Sequence, residues 1–569
     1  MAKPSPEIFR LKHCGTTNLA LFLPSMHRNP LLSAVGVSLV LLAMAGCAKR
    51  ETPVESALRT QTLHAALAAE PRDLDPQIAT SMEDFAACNA LMEGLTTLDP
   101  ATSRPIPGAA ERWEMSSDGR TWTFHLRANG RWSNGDTVKA ADFVYGFRRA
   151  LSAALGAEYA SQLYHLRGAE AFHTGKSTDF GTVGARAVDD QTLELTLKAP
   201  VPYLLALTAL PAWFPAHQPT IEKFNALARR GTPWTRPENY VGNGAFTLAE
   251  WRTNQHLRVV RSTTYWDRDR VRLQAAMFYP VENAITQEAM FRTGQLHLTE
   301  EKLPVEKIRA YREDPARAPL LQQGALLATK FFRFNCGRAP LADVRVRRAL
   351  ALAVDREKLA RNVMQSDLAA FSFTPPDCAG YTADRGVMTD VAEAKRLLAT
   401  AGFPEGRGFP RVDILFYPSS SSGRPVAEAV QQMWRAALGI EVGLLQQETK
   451  TVLDARRAMT YDILLSDWFG DYIDPLTFLD LWTTSSEHNR TGWSSAAYDQ
   501  LLNQAATILG QPARYDVLRR AEALVLAEAP ITPLFYQSSN QLRHPSVRGW
   551  HTNLVSTHPL KFVWLEAPK

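Results

Sequence analysis

The sequence has few cysteines, and none of them forms a metal-binding motif. It contains 5 cysteines in 569 residues, and no two are spaced as Cys-x-x-Cys. This spacing argues against a zinc site. Cys14 and Cys47 fall within or at the end of an N-terminal leader, which leaves Cys88, Cys336 and Cys378. We expect these three to be buried free thiols, with a single Cys336–Cys378 disulfide as the alternative.

Common catalytic signatures are also missing from the sequence. There is no Gly-x-Ser-x-Gly elbow and no His-Glu-x-x-His helix, and the histidines form no paired cluster. His173–Ser177 ends like a phosphate-binding loop, but Glu170 stands where that loop needs its first glycine. Gly242-Asn243-Gly244 lacks the third glycine of a dinucleotide site. The sequence therefore predicts a protein that is not an enzyme, with a hydrolase assembled from distant residues as an alternative.

A nucleic-acid footprint is absent as well. The formal net charge is +5, but residues 1–46 carry +3 of it, so the remainder is close to neutral at +2. No run of lysine and arginine is interleaved with aromatic residues. Binding to nucleic acid is therefore not predicted.

The one long apolar run lies near the N-terminus. Leu31–Leu42 is too short and too early for a membrane span, and small residues end it, as in an export signal. Ala45-Gly46-Cys47 resembles a bacterial lipobox, in which the cysteine is acylated. We expect residues 1–46 to be a lipoprotein signal peptide, residues 47–60 a polar tether, and the protein to be held at a membrane by lipid on Cys47. Met26 is an alternative start, since it gives a leader of more usual length.

The stretch from residue 111 to residue 151 predicts a hairpin followed by a helix. Asp118-Gly119 supplies a tight turn, and Trp122, Phe124 and Leu126 alternate with polar residues as in a half-buried strand. Phe143, Phe147 and Leu151 then recur every four residues, as on the apolar face of a helix. Lys139 precedes that helix, so we expect Asp136 or Thr137 to cap it.

The second half of the chain alternates between strand and helix patterns. Val344 to Met364 predicts one long helix, and Val412 to Tyr417, Pro425 to Leu438 and Gly439 to Leu445 predict strand, helix and strand. Such alternation is typical of an α/β lobe.

From about residue 60 to the end, the chain resembles the oligopeptide- and dipeptide-binding family of extracytoplasmic solute-binding proteins. The motifs that carry this resemblance are Leu74-Asp75-Pro76, Glu93-Gly94-Leu95, Trp113, Asp118-Gly119, Trp122-Thr123-Phe124, Leu126-Arg127, Trp132-Ser133, Gly135, Asp142-Phe143-Val144-Tyr145, Ala199–Tyr203, Val241–Phe246 and Asp343–Arg347. The resemblance implies an α/β, two-lobed periplasmic-binding-protein type II fold with an extra small subdomain on the N-terminal lobe. It assigns residues 61–97, 219–327 and 537–569 to lobe I, 98–218 to the subdomain, and 328–536 to lobe II.

The same resemblance points to a ligand anchor. Trp468-Phe469-Gly470-Asp471-Tyr472 matches the family pattern Trp-x-x-Asp-Tyr, whose aspartate binds the α-ammonium group of a peptide. A carboxylate held in a closed cleft would form a charge-assisted bond with that group. We expect the neighbouring Asp467, Asp474 and Asp480 to be solvated or to cap helices.

Further ligand-facing positions follow from the resemblance. Tyr159 matches a tyrosine that faces the ligand, and Arg456 matches an arginine near the ligand's carboxylate; Arg424 is a candidate to compensate for Gly423, which replaces a histidine. Leu465 and Thr449 replace a second arginine and a pocket tryptophan. The full set of expected ligand-binding residues is Asp471, Trp468, Tyr472, Arg456, Tyr159, Arg424, Met82 and Tyr536.

The resemblance implies a monomeric receptor in the periplasm or at the cell surface. Its expected partners are short peptides, the subunits of an ABC permease and a membrane, with no cofactor and no metal. A non-peptide ligand such as glutathione, a haem or a nickel chelate is the first alternative. A surface-anchored peptidase or an export chaperone is the second.

Overall fold

The computed structural model describes residues 51–365, 367–417 and 423–568. The expected signal peptide, the alternative start at Met26 and the acylated Cys47 lie outside these residues. None of the helices in the described ranges combines the length and apolarity that a bilayer span requires. The α-helices are Pro53–Thr60, Met82–Leu91, Ala140–Ala150, Ala169–His173, Leu204–Leu207, Gln218–Lys223, Ala284–Arg292, Val305–Glu313, Val344–Leu352, Arg356–Leu359, Val391–Thr400, Gly423–Leu438, Thr449–Ala458, Leu476–Leu479, Ala496–Thr507 and Gln511–Glu528.

A mixed four-stranded sheet contains the first strand of the described chain. Its strands in spatial order are Thr62–Leu67, Ala275–Pro280, His256–Arg261 and Phe246–Arg252. The first pair is parallel and the other pairs are antiparallel. Two short two-stranded sheets, Thr96–Leu98 with Pro105–Pro107 and Val547–Arg548 with Trp564–Leu565, complete this half of the fold.

The hairpin predicted around Asp118-Gly119 belongs to a second, antiparallel four-stranded sheet. Its order is Ala110–Met115, Thr121–Leu126, Thr192–Thr196 and Ala185–Ala187. Gly119 takes a left-handed φ of 70°, which the tight turn requires. Trp122, Phe124 and Leu126 are buried while their alternating neighbours are half-buried, so the strand prediction is confirmed.

A six-stranded sheet occupies the C-terminal half. Its order is Leu368–Ala369, Ile531–Leu542, Leu321–Phe334, Ile463–Phe469, Val412–Phe416 and Val442–Gln446. The last three strands run parallel to one another and are connected through helices, as the strand–helix–strand pattern predicts.

The two central strands of this sheet, Leu321–Phe334 and Ile463–Phe469, present different residues on its two faces. Trp468 lies opposite Thr329, and Leu464 lies opposite Arg333. Since opposed residues share a face and side chains alternate along a strand, Trp468 and Arg333 lie on the same face. Leu465, opposite Phe332, lies on the other face and is buried in a hydrophobic core.

Several sequence-based boundaries need correction. The helix expected over Val344 to Met364 is interrupted after Leu352, and Asp355 caps a new short helix at Arg356. The helix Met82–Leu91 begins where Ser81 forms a capping box with Asp84.

The helix Ala140–Ala150 is not capped by Asp136 or Thr137. Lys139 occupies the cap position, and its backbone N–H donates to the Asp142 carboxylate at 2.9 Å. The Asp136 carboxylate is instead hydrogen-bonded to His217 Nε2, at 2.9 Å.

The end of the expected tether is part of the fold. Pro53–Thr60 is a helix with a capping box between Thr52 and Glu55, and Val54 and Ala57 are buried. Because these apolar side chains reach the core, a polar tether over the whole of residues 47–60 is not correct.

The three cysteines in the described part of the chain are free thiols. Cys88 and Cys378 are buried and Cys336 is half-buried. The alternative Cys336–Cys378 disulfide is therefore not formed.

Candidate functional site

The segment that follows the strand Ile463–Phe469 is held in place by backbone and indole hydrogen bonds. The N–H of Gly470 donates to the Leu327 carbonyl at 2.7 Å, and the N–H of Asp471 donates to Thr477 Oγ1 at 2.9 Å. Trp468 Nε1 donates to the Thr477 carbonyl at 2.7 Å. A Cβ on Gly470 would lie 2.7 Å from a Leu327 methyl carbon, so only glycine fits there. The position of Asp471 is thus fixed from both sides.

The Asp471 side chain is exposed, and within the described residues its carboxylate forms neither a hydrogen bond nor an ion pair. The protein on its other sides removes part of the water around the carboxylate, and this desolvation raises the pKa of Asp471. A fixed, partly dehydrated and unpaired carboxylate is suited to bind a cation from solution.

Tyr159 lies next to this carboxylate. Burial raises the pKa of Tyr159, and the negative charge of Asp471 raises it further. The Tyr159 ring also contacts Phe85, with ring centroids 6.1 Å apart. Phe85 is on the helix Met82–Leu91, whose first residue, Met82, is 53% exposed. The structure therefore brings Asp471 and Tyr159 together and places Met82 one helical turn from Phe85.

Tyr472 continues the site through an aromatic stack. Its ring is parallel to that of Tyr203, with centroids 4.3 Å apart, and its hydroxyl donates to Asp480 at 3.4 Å. Desolvation by the protein around it, and then the charge of Asp471, raise the pKa of Asp480 to about 7. Asp480 is exposed, so its carboxylate changes charge in contact with solvent near neutral pH.

The expectation that Asp467, Asp474 and Asp480 are solvated or capping residues agrees with the exposure of Asp480 and needs correction for Asp467 and Asp474. Asp474 is buried and forms a two-pronged ion pair with Arg514, at 2.6 and 2.7 Å, besides accepting from the Leu476 N–H. Asp467 lies on the strand and pairs with the buried Lys330 at 3.2 Å. A carboxylate on a strand or under a helix needs a cation because burial without one is costly.

Arg456 lies on the helix Thr449–Ala458 and is half-buried. No hydrogen bond or ion pair involves its guanidinium among the described residues. Burial lowers the pKa of both His488 and Arg333, and the positive charge of Arg456 lowers both further.

Arg424 and Tyr536 have protein partners of their own. Arg424 donates to Gln446 at 2.8 Å and pairs with Glu428 at 3.4 Å. Tyr536 is buried, its hydroxyl lies 2.6 Å from Ser372 Oγ, and burial raises its pKa to about 12. The structure does not bring either of them to the Asp471 carboxylate.

Sequence reasoning missed His488, which contacts Trp468, and Arg333, which is hydrogen-bonded to His488. His488 contacts the Trp468 ring edge-on, with centroids 5.2 Å apart. Arg333 is 1% exposed and donates from Nη1 to the His488 carbonyl at 2.8 Å. The available signal was a lone arginine in the apolar strand sequence Phe331-Phe332-Arg333-Phe334. Among the described residues, no group of three or more histidine, cysteine or acidic side chains has the geometry to hold a metal.

Comparison with known proteins identifies the family. The model for the middle region of bacterial extracellular solute-binding proteins, family 5, matches residues 104–490. The chain belongs to this family. The Salmonella typhimurium periplasmic oligopeptide-binding protein OppA is 32% identical over 536 residues, 91% of this chain and 95% of OppA. The Escherichia coli probable deoxycholate-binding periplasmic protein YgiS is 34% identical over 491 residues, 85% of this chain and 89% of YgiS.

Solved structures confirm the fold class that the sequence predicted. The unliganded open form of MppA, a periplasmic murein tripeptide-binding protein, has a TM-score of 0.79 at 31% identity, covering 89% of this chain and 97% of MppA. A structure of the Escherichia coli murein tripeptide-binding protein MppA has a TM-score of 0.68 at the same identity, covering 89% of this chain and 98% of that one. The fold is the mixed α/β, type II fold of periplasmic peptide-binding proteins.

Proposed function

We propose that this protein is an extracytoplasmic receptor that binds short peptides by their free α-amino group and delivers them to an ABC importer. The observation that carries the proposal is the Asp471 carboxylate, which is fixed by its backbone, desolvated and without a partner among the described residues. A peptide ammonium placed there would form a charge-assisted hydrogen bond. The peptide names of relatives such as OppA and MppA support the same ligand class.

In this proposal the cleft lies between the two lobes assigned from the sequence. Asp471 belongs to the six-stranded sheet's half, whereas Tyr159 and Met82 belong to the other half. A peptide held between them would bring the halves together in a hinge closure. Its backbone would pair with strand edges, so side-chain identity would matter little.

The test is a comparison of two variants and two ligands by titration calorimetry. Asp471→Asn keeps the shape of the side chain and removes the charge, so tetra-alanine should bind about ten- to a hundredfold more weakly. N-acetyl-tetra-alanine, which has no ammonium group, should bind the native protein as weakly as tetra-alanine binds the Asp471→Asn variant. Asp499→Asn, on the helix Ala496–Thr507, is the matched control. Asp499 is half-buried and accepts from the Thr484 N–H at 3.0 Å, which the amide oxygen of asparagine can replace, so this variant should bind as the native protein does. Equal affinity for free and acetylated peptide would overturn the assignment of Asp471.

Lipid anchoring through Cys47 is a separate part of the proposal. The lipobox-like Ala45-Gly46-Cys47 supports it. The full-length precursor, expressed in a bacterial host and fractionated, should be found with the membranes, and Cys47→Ser should move it to the soluble fraction. Identical fractionation of both proteins would contradict the anchor.

A bile acid such as deoxycholate is the second candidate ligand, because YgiS is named as a probable deoxycholate-binding protein. Deoxycholate is an anion and has no ammonium group, so the exposed Asp471 carboxylate would repel it. Competition separates the two ligands. If deoxycholate displaces tetra-alanine, or binds where tetra-alanine does not, the peptide proposal gives way to the bile-acid one.

A further inference from the structure

Three histidines that are far apart in the sequence lie in a row across three adjacent backbone segments. His64 is on the strand Thr62–Leu67, His297 is on the segment beside it, and His544 follows the strand Ile531–Leu542. The rings of His64 and His297 are stacked with centroids 5.7 Å apart, and the His544 ring meets that of His297 edge-on at 5.8 Å. We call these three residues the histidine row.

Backbone hydrogen bonds join the three segments at the histidine row. The His297 N–H donates to the His64 carbonyl at 2.7 Å, and the His544 N–H donates to the His297 carbonyl at 2.8 Å. The strand Ile531–Leu542 also pairs with Leu321–Phe334 in the six-stranded sheet. The row therefore lies where a strand from the C-terminal half of the fold is fastened to the first strand of the four-stranded sheet.

His297 can keep its side-chain hydrogen bond only while its ring is neutral. The His64 N–H donates to His297 Nδ1 at 3.1 Å, so the proton of the neutral ring is on Nε2. A second proton would have to bind Nδ1, where it would face the His64 N–H, and the bond would be lost. The ring is 0% exposed, and its Nε2 has no hydrogen-bond partner among the described residues. A charged ring would therefore be buried with neither of its donors satisfied, which is costly.

The two neighbouring rings do not compensate for a charge on His297. His64 Nδ1 lies 2.9 Å from the Tyr279 hydroxyl. His544 Nδ1 lies 2.8 Å from Ser546 Oγ, besides accepting from the Ser546 N–H at 3.2 Å. Since a hydroxyl can either donate or accept, these two rings keep a partner when they are protonated. Each would then add a positive charge beside His297.

The charged groups on the elements packed around the row would not neutralise it. The acids on these elements already have cationic or histidine partners, and the pairs are Glu288 with Arg292 and Lys307, Glu301 with His558, and Glu566 with Arg548. Desolvation, and then the charge of Glu301, raise the pKa of Glu300 to about 7, so Glu300 is mostly neutral in acid. Arg543 and Arg548 lie on the third segment of the row and add positive charge.

The pKa values of the row agree with this geometry. Burial lowers the pKa of His64 to about 4, and burial, followed by the charges of His64 and His544, lowers that of His297 to about 3. When the row opens, each ring regains an ordinary pKa of about 6.5, so the open state takes up protons that the closed state does not. The closed state is therefore fully favoured above about pH 6.5 and loses stability as the pH falls below that value.

We propose that the histidine row is an acid-sensitive joint, which fastens the strand Ile531–Leu542 to the strand Thr62–Leu67 while His297 is neutral and releases it in acid. Because the two strands belong to different halves of the fold, the joint sets how firmly the halves are connected. The joint needs no ligand, so it goes beyond the proposed function and does not rest on it.

Hydrogen–deuterium exchange of the ligand-free protein at pH 7.5 and pH 5 tests the joint. Mass spectrometry reads the exchange, and each rate is corrected for the intrinsic rate at that pH. Protection of the amides in Thr62–Leu67 and in residues 543–548 should fall by about tenfold or more at pH 5. The strand Ile463–Phe469, which contains no histidine, is the internal reference and should lose less than about threefold.

His297→Asn then assigns the effect to this ring. The asparagine Oδ1 stands where Nδ1 does and accepts from the His64 N–H, but it takes up no proton. The variant should lose less than about threefold of its protection between the two pH values, although its smaller side chain lowers protection at both. His551→Asn, at an exposed histidine, is the control and should show the same fall as the native protein.

Every outcome supports or overturns the joint. Protection at the row that is unchanged between pH 7.5 and pH 5 in the native protein overturns it, and this result needs no variant. An equal loss in the reference strand means general acid unfolding and overturns it as well. If His297→Asn loses protection as the native protein does, His297 is not the sensor and the joint is excluded. Peptide affinity plays no part in these measurements, so the proposed function stands or falls separately.

Discussion

At the residue scale, the acidic residues between Asp462 and Asp480 differ in what their carboxylates contact. Asp474 is neutralised by Arg514 and Asp467 by Lys330, whereas Asp471 has no such partner among the described residues. Sequence pattern separated Asp471 from its neighbours because the Trp-x-x-Asp-Tyr motif is a local feature. It did not reveal the partners of Asp467 and Asp474, which lie 137 and 40 residues away along the chain, since long-range pairing leaves no mark on a short motif.

The pKa values of Asp471 and Asp480 predict a pH dependence of binding. The pKa of Asp471 is raised, and an ammonium binds only the ionised carboxylate, so affinity is full above the raised pKa and is lost as the pH falls through it. As the pH falls, Asp480, with a pKa of about 7, is protonated first, and its protonation removes a negative charge near Asp471. We expect the affinity for tetra-alanine to decline from pH 8 to pH 5, and by about tenfold per pH unit below the pKa of Asp471.

Calorimetry at several pH values measures this dependence. N-acetyl-tetra-alanine serves as the control, and its weak binding should not decline over the same range. Asp480→Asn should remove the part of the decline that lies near pH 7. Affinity for the free peptide that stays constant from pH 8 to pH 5 would show that Asp480 is not involved, and affinity that also stays constant at lower pH, through the raised pKa of Asp471, would exclude Asp471.

At the scale of elements, the segment carrying Asp471 is tied to the helix Gln511–Glu528. The Asp474–Arg514 ion pair makes this connection, and both side chains are nearly fully buried, at 5% and 2% exposure. Removing one partner of a buried pair leaves the other charge unpaired, which costs about 3–5 kcal/mol. Without this ion pair, the segment that positions Asp471 would also lose its connection to the helix Gln511–Glu528.

Arg514→Met is therefore expected to lower the free energy of unfolding by about 3–5 kcal/mol and to weaken tetra-alanine binding. Denaturant unfolding and calorimetry measure the two effects. Arg519→Met, on the same helix, removes an exposed pair with Asp516 and should cost no more than about 1 kcal/mol. Equal stability of the two variants would contradict the role given to the buried pair.

Elements with strong local signals could be predicted from the sequence. The strand Thr121–Leu126 and the helix Ala140–Ala150 have clear periodicity and followed the prediction. The break between Leu352 and Arg356 was missed because both helices share one apolar face, and only the Asp355 cap marks the division. The burial of Arg333 depends on sheet order, which periodicity does not encode.

At the scale of the whole molecule, comparison with two structures of MppA indicates which conformation the protein adopts. The two MppA structures have the same identity to this chain, yet the TM-score is 0.79 for the unliganded open form and 0.68 for the other. The structure thus resembles the unliganded open form of MppA more than it resembles the other MppA structure. This agrees with the exposure of Asp471 and Met82.

Peptide binding is expected to make the molecule more compact. Small-angle X-ray scattering should show a smaller radius of gyration with saturating tetra-alanine, approaching the value of about 24 Å for a compact chain of this length. Asp471→Asn at the same peptide concentration should keep the radius of the ligand-free protein. An unchanged radius in the native protein, with binding shown by calorimetry, would exclude hinge closure.

The reactivity of the three free thiols reports whether the part of the chain around each of them is folded. Burial raises the pKa of Cys336 to about 11 and raises those of Cys88 and Cys378 further, so that little reactive thiolate is present at neutral pH. An alkylating reagent therefore meets these sulfurs chiefly when the chain opens. Because Cys88 lies in the helix that begins at Met82 and Cys378 follows the strand Leu368–Ala369, the order in which they are alkylated would report which half of the molecule unfolds first.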